Sequence, residues 1–160
     1  MATLAKDTTQ QSVAARLLFM CGAVAGPLFT VVWVVAGASR ANYDPLRHFI
    51  SLLSIGEFGW TQIANFVITG SLLLAFALGL RRARLPESGT VFGPLLFALI
   101  GACLIAAGIF VSDPHFGYPP GTPPVPIERT THGLLHDIVG IPVFLGLPIG
   151  SLTLVTDLPN

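Results

Sequence analysis

The sequence predicts an all-α fold: a polytopic transmembrane helical bundle of four spans, with an amphipathic helix on its outer interface. Three observations predict it. The 160 residues are 52% hydrophobic and only 10% charged, with mean hydropathy +0.76, and that charge content is less than half of what a soluble domain carries. Four stretches, 17–38, 60–80, 91–111 and 134–155, reach the about 20 apolar residues a helix needs to cross hydrocarbon, and the first three hold no charged residue. These are continuous apolar runs, not the short alternating strands of a closed barrel, the other architecture that satisfies its backbone in lipid.

Residues 1–16 are polar and read as a frayed cytoplasmic lead-in. The first span follows, with Gly22 and Gly26 at the four-residue spacing that lets helices approach closely. Ala36-Gly37-Ala38 resembles a signal-peptide cleavage site. The apolar core before it is longer than the roughly 7 to 15 residues of a signal segment, however, and contains Pro27, so the stretch reads as a retained span. Cys21 near one face and Cys103 in the middle of the third span differ in depth by about 12 Å at 1.5 Å per residue, too far for a disulfide.

The connection from 39 to 59 has a pattern of its own. Asp44-Pro45 is an N-cap and first-turn pair, Leu46, Phe49, Ile50 and Leu53 repeat at helical spacing, and Gly56 supplies a stop. This predicts a short amphipathic helix lying on the outer interface. In the second span Gln62, Asn65 and Thr69 share one face, an arrangement for interhelical hydrogen bonds or for a polar pathway. Residues 81–89 are a short inner turn. The connection from 112 to 131 holds six of the thirteen prolines, from Pro114 to Pro126, and should be stiff and extended, a lid or spacer over the outer mouth. Gly140, Pro142, Gly146, Pro148 and Gly150 make the fourth span the one expected to kink or partly unwind. Residues 156–160 are a cytoplasmic tail.

Orientation follows from the basic residues. Arg81, Arg82 and Arg84 cluster at the end of the second span, and the positive-inside rule places such a cluster in the cytoplasm. Both termini then lie in the cytoplasm of a multi-pass protein of the cell membrane. The zero formal net charge provides no basic surface for nucleic acid, and the expected partners are the lipid bilayer and either a second copy or another membrane subunit.

This orientation gathers every histidine on the outer side. His132 and His136 are four residues apart, on one helical face, as in helical metal sites. Asp113 and His115 end the third span at the same level, with Glu128 and Asp137 nearby; Asp44, His48 and Glu57 can face the same mouth from the first outer connection. His136 and Asp137 lie within an otherwise apolar span, where ionisable groups are costly and point to function. Three readings stay open: a hydrogen-bonded interfacial cluster, a metal or proton-linked site, and a site for a small ligand or lipid head group. No cofactor is expected on the leading reading, in which Arg40, Asp44, Asp113, His132 and His136 bind a polar ligand or head group. On the alternative reading a divalent metal is held by His132, His136, Asp113 and His115 in a membrane-embedded hydrolase acting on a lipid-like substrate. The spacing lacks the glutamate of the His-Glu-x-x-His motif, because residues 133–135 are Gly-Leu-Leu. Haem would need axial histidines on two helices at matched depth, and His115 is the nearest approach to a partner for His136. No glycine-rich phosphate loop and no Gly-x-Ser-x-Gly elbow is present. A purely scaffolding subunit remains a third function class.

Several stretches together resemble a known family. Arg40-Ala-Asn-Tyr43-Asp44-Pro45, then Ile50-Ser-Leu-Leu-Ser54-Ile-Gly56, Trp60 and Asn65-Phe66, together with Phe110-Val-Ser-Asp113-Pro114 and Gly133-Leu-Leu-His136, are similar to bacterial membrane proteins of the domain of unknown function 998 family over roughly 17–140. The resemblance implies a polytopic membrane protein with its distinctive polar residues on one side, and no established reaction. Members of that family commonly look like six-span proteins, whereas this chain stops after four. A truncated chain or a short divergent member is the corresponding expectation.

Overall fold

The structure is a computed structural model and describes residues 2–83, 92–124 and 128–156, with side chains over 13–82, 92–124 and 128–152. Among these residues there are four long helices and no strand: α1 (Ala2–Ser39), α2 (Gly59–Ala83), α3 (Phe92–Ile109) and α4 (Thr131–Thr156). Each contains a segment long and apolar enough to cross a membrane: Val13–Ser39, Gly59–Arg82, Phe92–Ile109 and Thr131–Leu152. The expected four-span helical fold is the fold observed.

The helices pack in chain order, α1 on α2, α2 on α3 and α3 on α4, and among the described residues α1 and α4 do not pack along one another to close a ring. The arrangement is therefore an open row with α2 and α3 inside. Half of the residues in the apolar window of α3 are buried in the protein but only 6% of those in the window of α1, so most residues of α1 are left partly or fully exposed. The core lies where α2 and α3 meet, around Phe66, Leu73, Phe97, Ile100 and Leu104, and Ala25 of α1 joins it. Phe76 of α2 stands edge-on to Phe97 of α3 at 5.1 Å, a favoured aromatic geometry. At the crossing a Cβ on Gly70 would lie 2.5 Å from the carbonyl oxygen of Gly101, and one on Gly101 would lie 2.7 Å from that of Gly70. Only two glycines let these backbones come so close, the small-residue packing that replaces hydrophobic attraction between helices in lipid.

Several local expectations change. Residues 2–16 continue α1 as helix and do not fray; they contain no glycine or proline and many strong helix formers. Of the Gly22 and Gly26 pair, Gly22 receives the Phe76 ring, while Gly26 faces open space. Despite its glycines and prolines α4 does not unwind, being helical throughout Thr131–Thr156. Residues 81–83 of the turn expected at 81–89 still belong to α2, and the rest of it, with Pro126, the side chain of Lys6 and the tail from Asp157, lies outside the described residues.

The largest difference is in the connection between α1 and α2. The helix expected from Asp44 to Gly56 is replaced by one turn at 44–48, an extended Phe49 and a five-residue 3-10 helix, Ile50–Ser54. Asp44 Oδ1 accepts from the backbone N–H of Leu46 at 2.9 Å, closing an Asx turn that competes with helix propagation. Leu52 and Leu53 are fully buried, whereas Leu46 is 97% exposed. The segment plugs the bundle with two leucines and does not float on its interface.

Candidate functional site

The polar residues at the end of the bundle that carries the α1–α2 and α3–α4 connections fall into four groups, each with its own structural origin. The first joins α3 to α4. Thr130 is the N-cap of α4: its Oγ1 accepts from the N–H of Gly133 at 3.0 Å, satisfying one of the donors a helix start leaves open. Asp113, just past the end of α3, grips that cap. Its Oδ2 accepts from the Thr130 N–H at 2.8 Å and its Oδ1 from the Thr130 hydroxyl at 2.6 Å. The carboxylate also lies over the first turn of α4, where helix dipole and anion attract. It lies so close that a Cβ on Gly133 would collide with the Asp113 carboxylate. One turn on, His136 is 6% exposed, and its Nδ1 donates to the carbonyls of Phe110 at 2.6 Å and Ala107 at 3.1 Å. Carbonyl oxygens only accept, so Nδ1 carries the hydrogen. Asp113 thus caps the start of α4, while His136 caps the end of α3.

The second group joins the α1–α2 connection to the α3–α4 connection. His48 is buried; its Nδ1 accepts the Asp44 backbone N–H at 3.0 Å, which leaves Nε2 to donate to the Phe116 carbonyl at 3.3 Å. Tyr43 and Tyr118 stack around this imidazole at 5.7 and 5.3 Å, and against each other at 5.6 Å. Burial, then the Tyr118 phenol and the Asp44 carboxylate, push the Tyr43 hydroxyl above its ordinary pKa. The proline-rich connection is not simply extended, since His115 and Tyr118 exchange backbone hydrogen bonds of 3.1 and 3.0 Å around Phe116 and Gly117. Both central residues have positive φ, 54° and 81°, as a tight type I′ turn requires.

The third group is a polar ladder on α2. Thr69 Oγ1 donates to Asn65 Oδ1 at 3.4 Å, and Asn65 Nδ2 donates to Gln62 Oε1 at 3.4 Å and to the Phe29 carbonyl of α1 at 3.1 Å. The interhelical bond expected of this face is made through Asn65. Gln62 is fully buried, and its Nε2 is the one buried side-chain polar atom among the described residues with no partner, at a cost of about 1 to 3 kcal/mol for such a group.

Arg40 forms the fourth group, one residue beyond α1. Its guanidinium reaches the Ile55 carbonyl at 3.5 Å and Thr61 Oγ1 at 3.4 Å, and lies 5.5 Å from the centre of the Phe58 ring.

Among the described residues, two of the clefts lie at this end. One, of about 390 Å³, lies between the 3-10 segment and the α3–α4 junction, with Phe49 and Leu52 on one wall and Asp113, His115, Arg129 and Asp137 on the others. Arg129 and Asp137 pair across it at 2.6 Å, both about half exposed or more. The second, of about 560 Å³, is an apolar groove between α1 and α2 with Arg40 at its head.

The sequence-derived candidates therefore separate. Asp113 and His136 meet at the α3–α4 junction and spend their hydrogen bonds on helix ends. Asp44 shapes its own turn and presents its N–H to His48, and Arg40 stands at the other groove. His132 is exposed and rests edge-on against Phe110 at 5.7 Å, and His115 does the same against Phe116 at 4.1 Å. Among the described residues no three of His, Cys, Asp and Glu converge as metal ligands would, so the His132, His136, Asp113 and His115 set is not assembled. Thr130, Gly133, Arg129 and Tyr118 were not among the candidates, although a Thr just ahead of an apolar helix is a readable N-cap signal.

A family model described as a protein of unknown function, DUF998, matches residues 23–159. No curated protein and no solved structure matches the chain.

Proposed function

This chain belongs to the DUF998 family of proteins of unknown function, and we propose that it is a binding, sensing or transport-related membrane component that takes a small polar ligand or head group at its outer face. The observation that carries this reading is the cleft of about 390 Å³ where His115, Arg129 and Asp137 from two separate segments surround an apolar wall of Phe49 and Leu52. Its volume is in the range of small-molecule sites, and mixed apolar walls with a few convergent polar groups are their usual chemistry. The Arg129–Asp137 pair is solvent-exposed, so it contributes little to stability and its partners are free to exchange. A ligand carrying both an anionic group and a hydrogen-bond donor can replace that pair with two contacts of its own, the anion to Arg129 and the donor to Asp137.

Orientation supports an outer location for this cleft. Arg81 and Arg82 occupy the last turn of α2, at the end opposite the outer connections, and the positive-inside rule puts that end in the cytoplasm of a cell membrane, with both termini. The exposed flank of α1 leaves room for a second copy or another subunit. The metal-dependent hydrolase has less support, because the histidines do not converge and His136 turns Nδ1 to α3.

The test is a thermal-shift screen of zwitterionic and anionic small molecules on the detergent-purified protein, alongside an Arg129→Ala/Asp137→Asn variant. A ligand that raises the wild-type melting temperature and leaves the variant unmoved supports the reading; shifts equal in both sink it. Elemental analysis of the same samples, with His132→Ala/His136→Ala as control, would turn the assignment to the hydrolase if stoichiometric metal were found and lost in that control.

A further inference from the structure

The groove between α1 and α2 shares no lining residue with the cleft just discussed, and its chemistry differs. Its walls are Val31, Val35 and Ala36 on α1 and Phe58 and Thr61 at the start of α2. Val31 and Val35 are more than half exposed, within the span Val13–Ser39, few residues of which are buried in the protein. In a bilayer this groove is filled by hydrocarbon.

Arg40 closes its outer end. Among the described residues no carboxylate pairs with this guanidinium; its two hydrogen bonds are long, both to neutral oxygens, and the third contact is the Phe58 face. The charge is held in place and left uncompensated. Phe58 and Trp60, both more than half exposed, sit at the same end of α2, where aromatic side chains mark the boundary between hydrocarbon and head groups. Arginine at that depth presents a planar fork suited to the two oxygens of a phosphate, and a basic residue near the surface favours anionic lipid.

We propose that this groove is a binding site for one anionic glycerophospholipid, with an acyl chain along Val31 and Val35 and the phosphate on Arg40. Thr61 Oγ1 and the Phe58 ring position the guanidinium, and the neutral surroundings of Arg40 make the site select by charge. The proposal stands whether or not the polar cleft binds a ligand.

Native mass spectrometry of the detergent-purified protein tests it, with phosphatidylglycerol and phosphatidylcholine of identical chains offered in equal amounts. Wild type is expected to retain one phosphatidylglycerol in preference to phosphatidylcholine, by about fivefold for a single basic contact. Arg40→Gln abolishes the preference, Arg40→Lys keeps part of it, and Val35→Trp, which fills the groove and leaves Arg40 intact, lowers retention of both lipids. Circular dichroism and lipid-free melting of each variant confirm that the fold is kept. Equal retention of the two lipids by wild type, an undiminished preference in Arg40→Gln, unaltered retention in Val35→Trp, or a protein dimer formed through Arg40 in place of lipid retention would each overturn the proposal.

Discussion

At the scale of single residues, the junction of α3 and α4 shows how a glycine and an acid specify each other. Gly133 has no side chain because the Asp113 carboxylate occupies the space one would need. Gly133→Ala alone should lower stability by about 2 kcal/mol, through overpacking and a disturbed cap. In an Asp113→Ala background the same change should cost nothing or stabilise, because alanine is the better helix former by about 1 kcal/mol. A double-mutant cycle by thermal unfolding in detergent reads this coupling, and additive effects would show that the two residues do not share the space. Tyr43 makes a second case. Its folded-state pKa is raised above the ordinary 10.0, so the neutral phenol's contribution is complete below that value and is lost as pH climbs through the raised one. Above about pH 10, wild type should lose melting temperature faster than Tyr43→Phe; parallel alkaline profiles would contradict the burial described for this ring.

At the scale of elements, legibility in the sequence divides by the distance over which a signal acts. The four spans could be read because length and apolarity are properties of each segment alone, and bilayer thickness sets the threshold. The 44–56 segment could not, because what breaks its helical pattern lies elsewhere: His48 reaches the Phe116 carbonyl, 68 residues away, and Leu52 and Leu53 find a core that no local periodicity announces. The candidate site was legible in part. The sequence brought Asp113 and His136 to one level, and the structure joins them to one junction. That their hydrogen bonds go to Thr130 and to the last carbonyls of α3 depends on a register between two helices that spacing does not contain. Packing of α2 on α3 has its own local requirement at Gly70 and Gly101. Gly101→Val should push these backbones apart and destabilise by about 1 to 3 kcal/mol or more, whereas the same change at Gly26, which faces open space, should leave the melting temperature within about a degree or two of wild type.

For the whole molecule, two features of the described residues stand out: an open row of helices, and polar groups gathered where the α1–α2 and α3–α4 connections meet. Single-cysteine variants test the orientation. Thr122→Cys, in the proline-rich connection, should react with a membrane-impermeant maleimide in intact cells, whereas Ser88→Cys, in the connection between α2 and α3, should react only after permeabilisation. The native Cys21 and Cys103, half-buried and buried within spans, provide a low background. The reverse pattern would move the polar clefts to the cytoplasmic side and withdraw the outer-face reading. An open row also distributes tolerance unevenly: among the described residues α2 and α3 pack against a long helix on both sides, while α1 and α4 each pack along one. Substitutions on the outward faces of α1 and α4 should be absorbed most readily.

The reciprocal capping of α3 and α4 bears on how the protein is made. A newly synthesised α4 leaving the insertion machinery alone would carry the His136 imidazole into lipid with nothing to receive its N–H, and α3 alone would end in bare carbonyls. In the folded protein the carbonyls of Phe110 and Ala107 receive His136, and Asp113 grips the Thr130 cap of α4. A hairpin of the two leaves neither that N–H nor those carbonyls without a partner in a medium that offers no water to replace it.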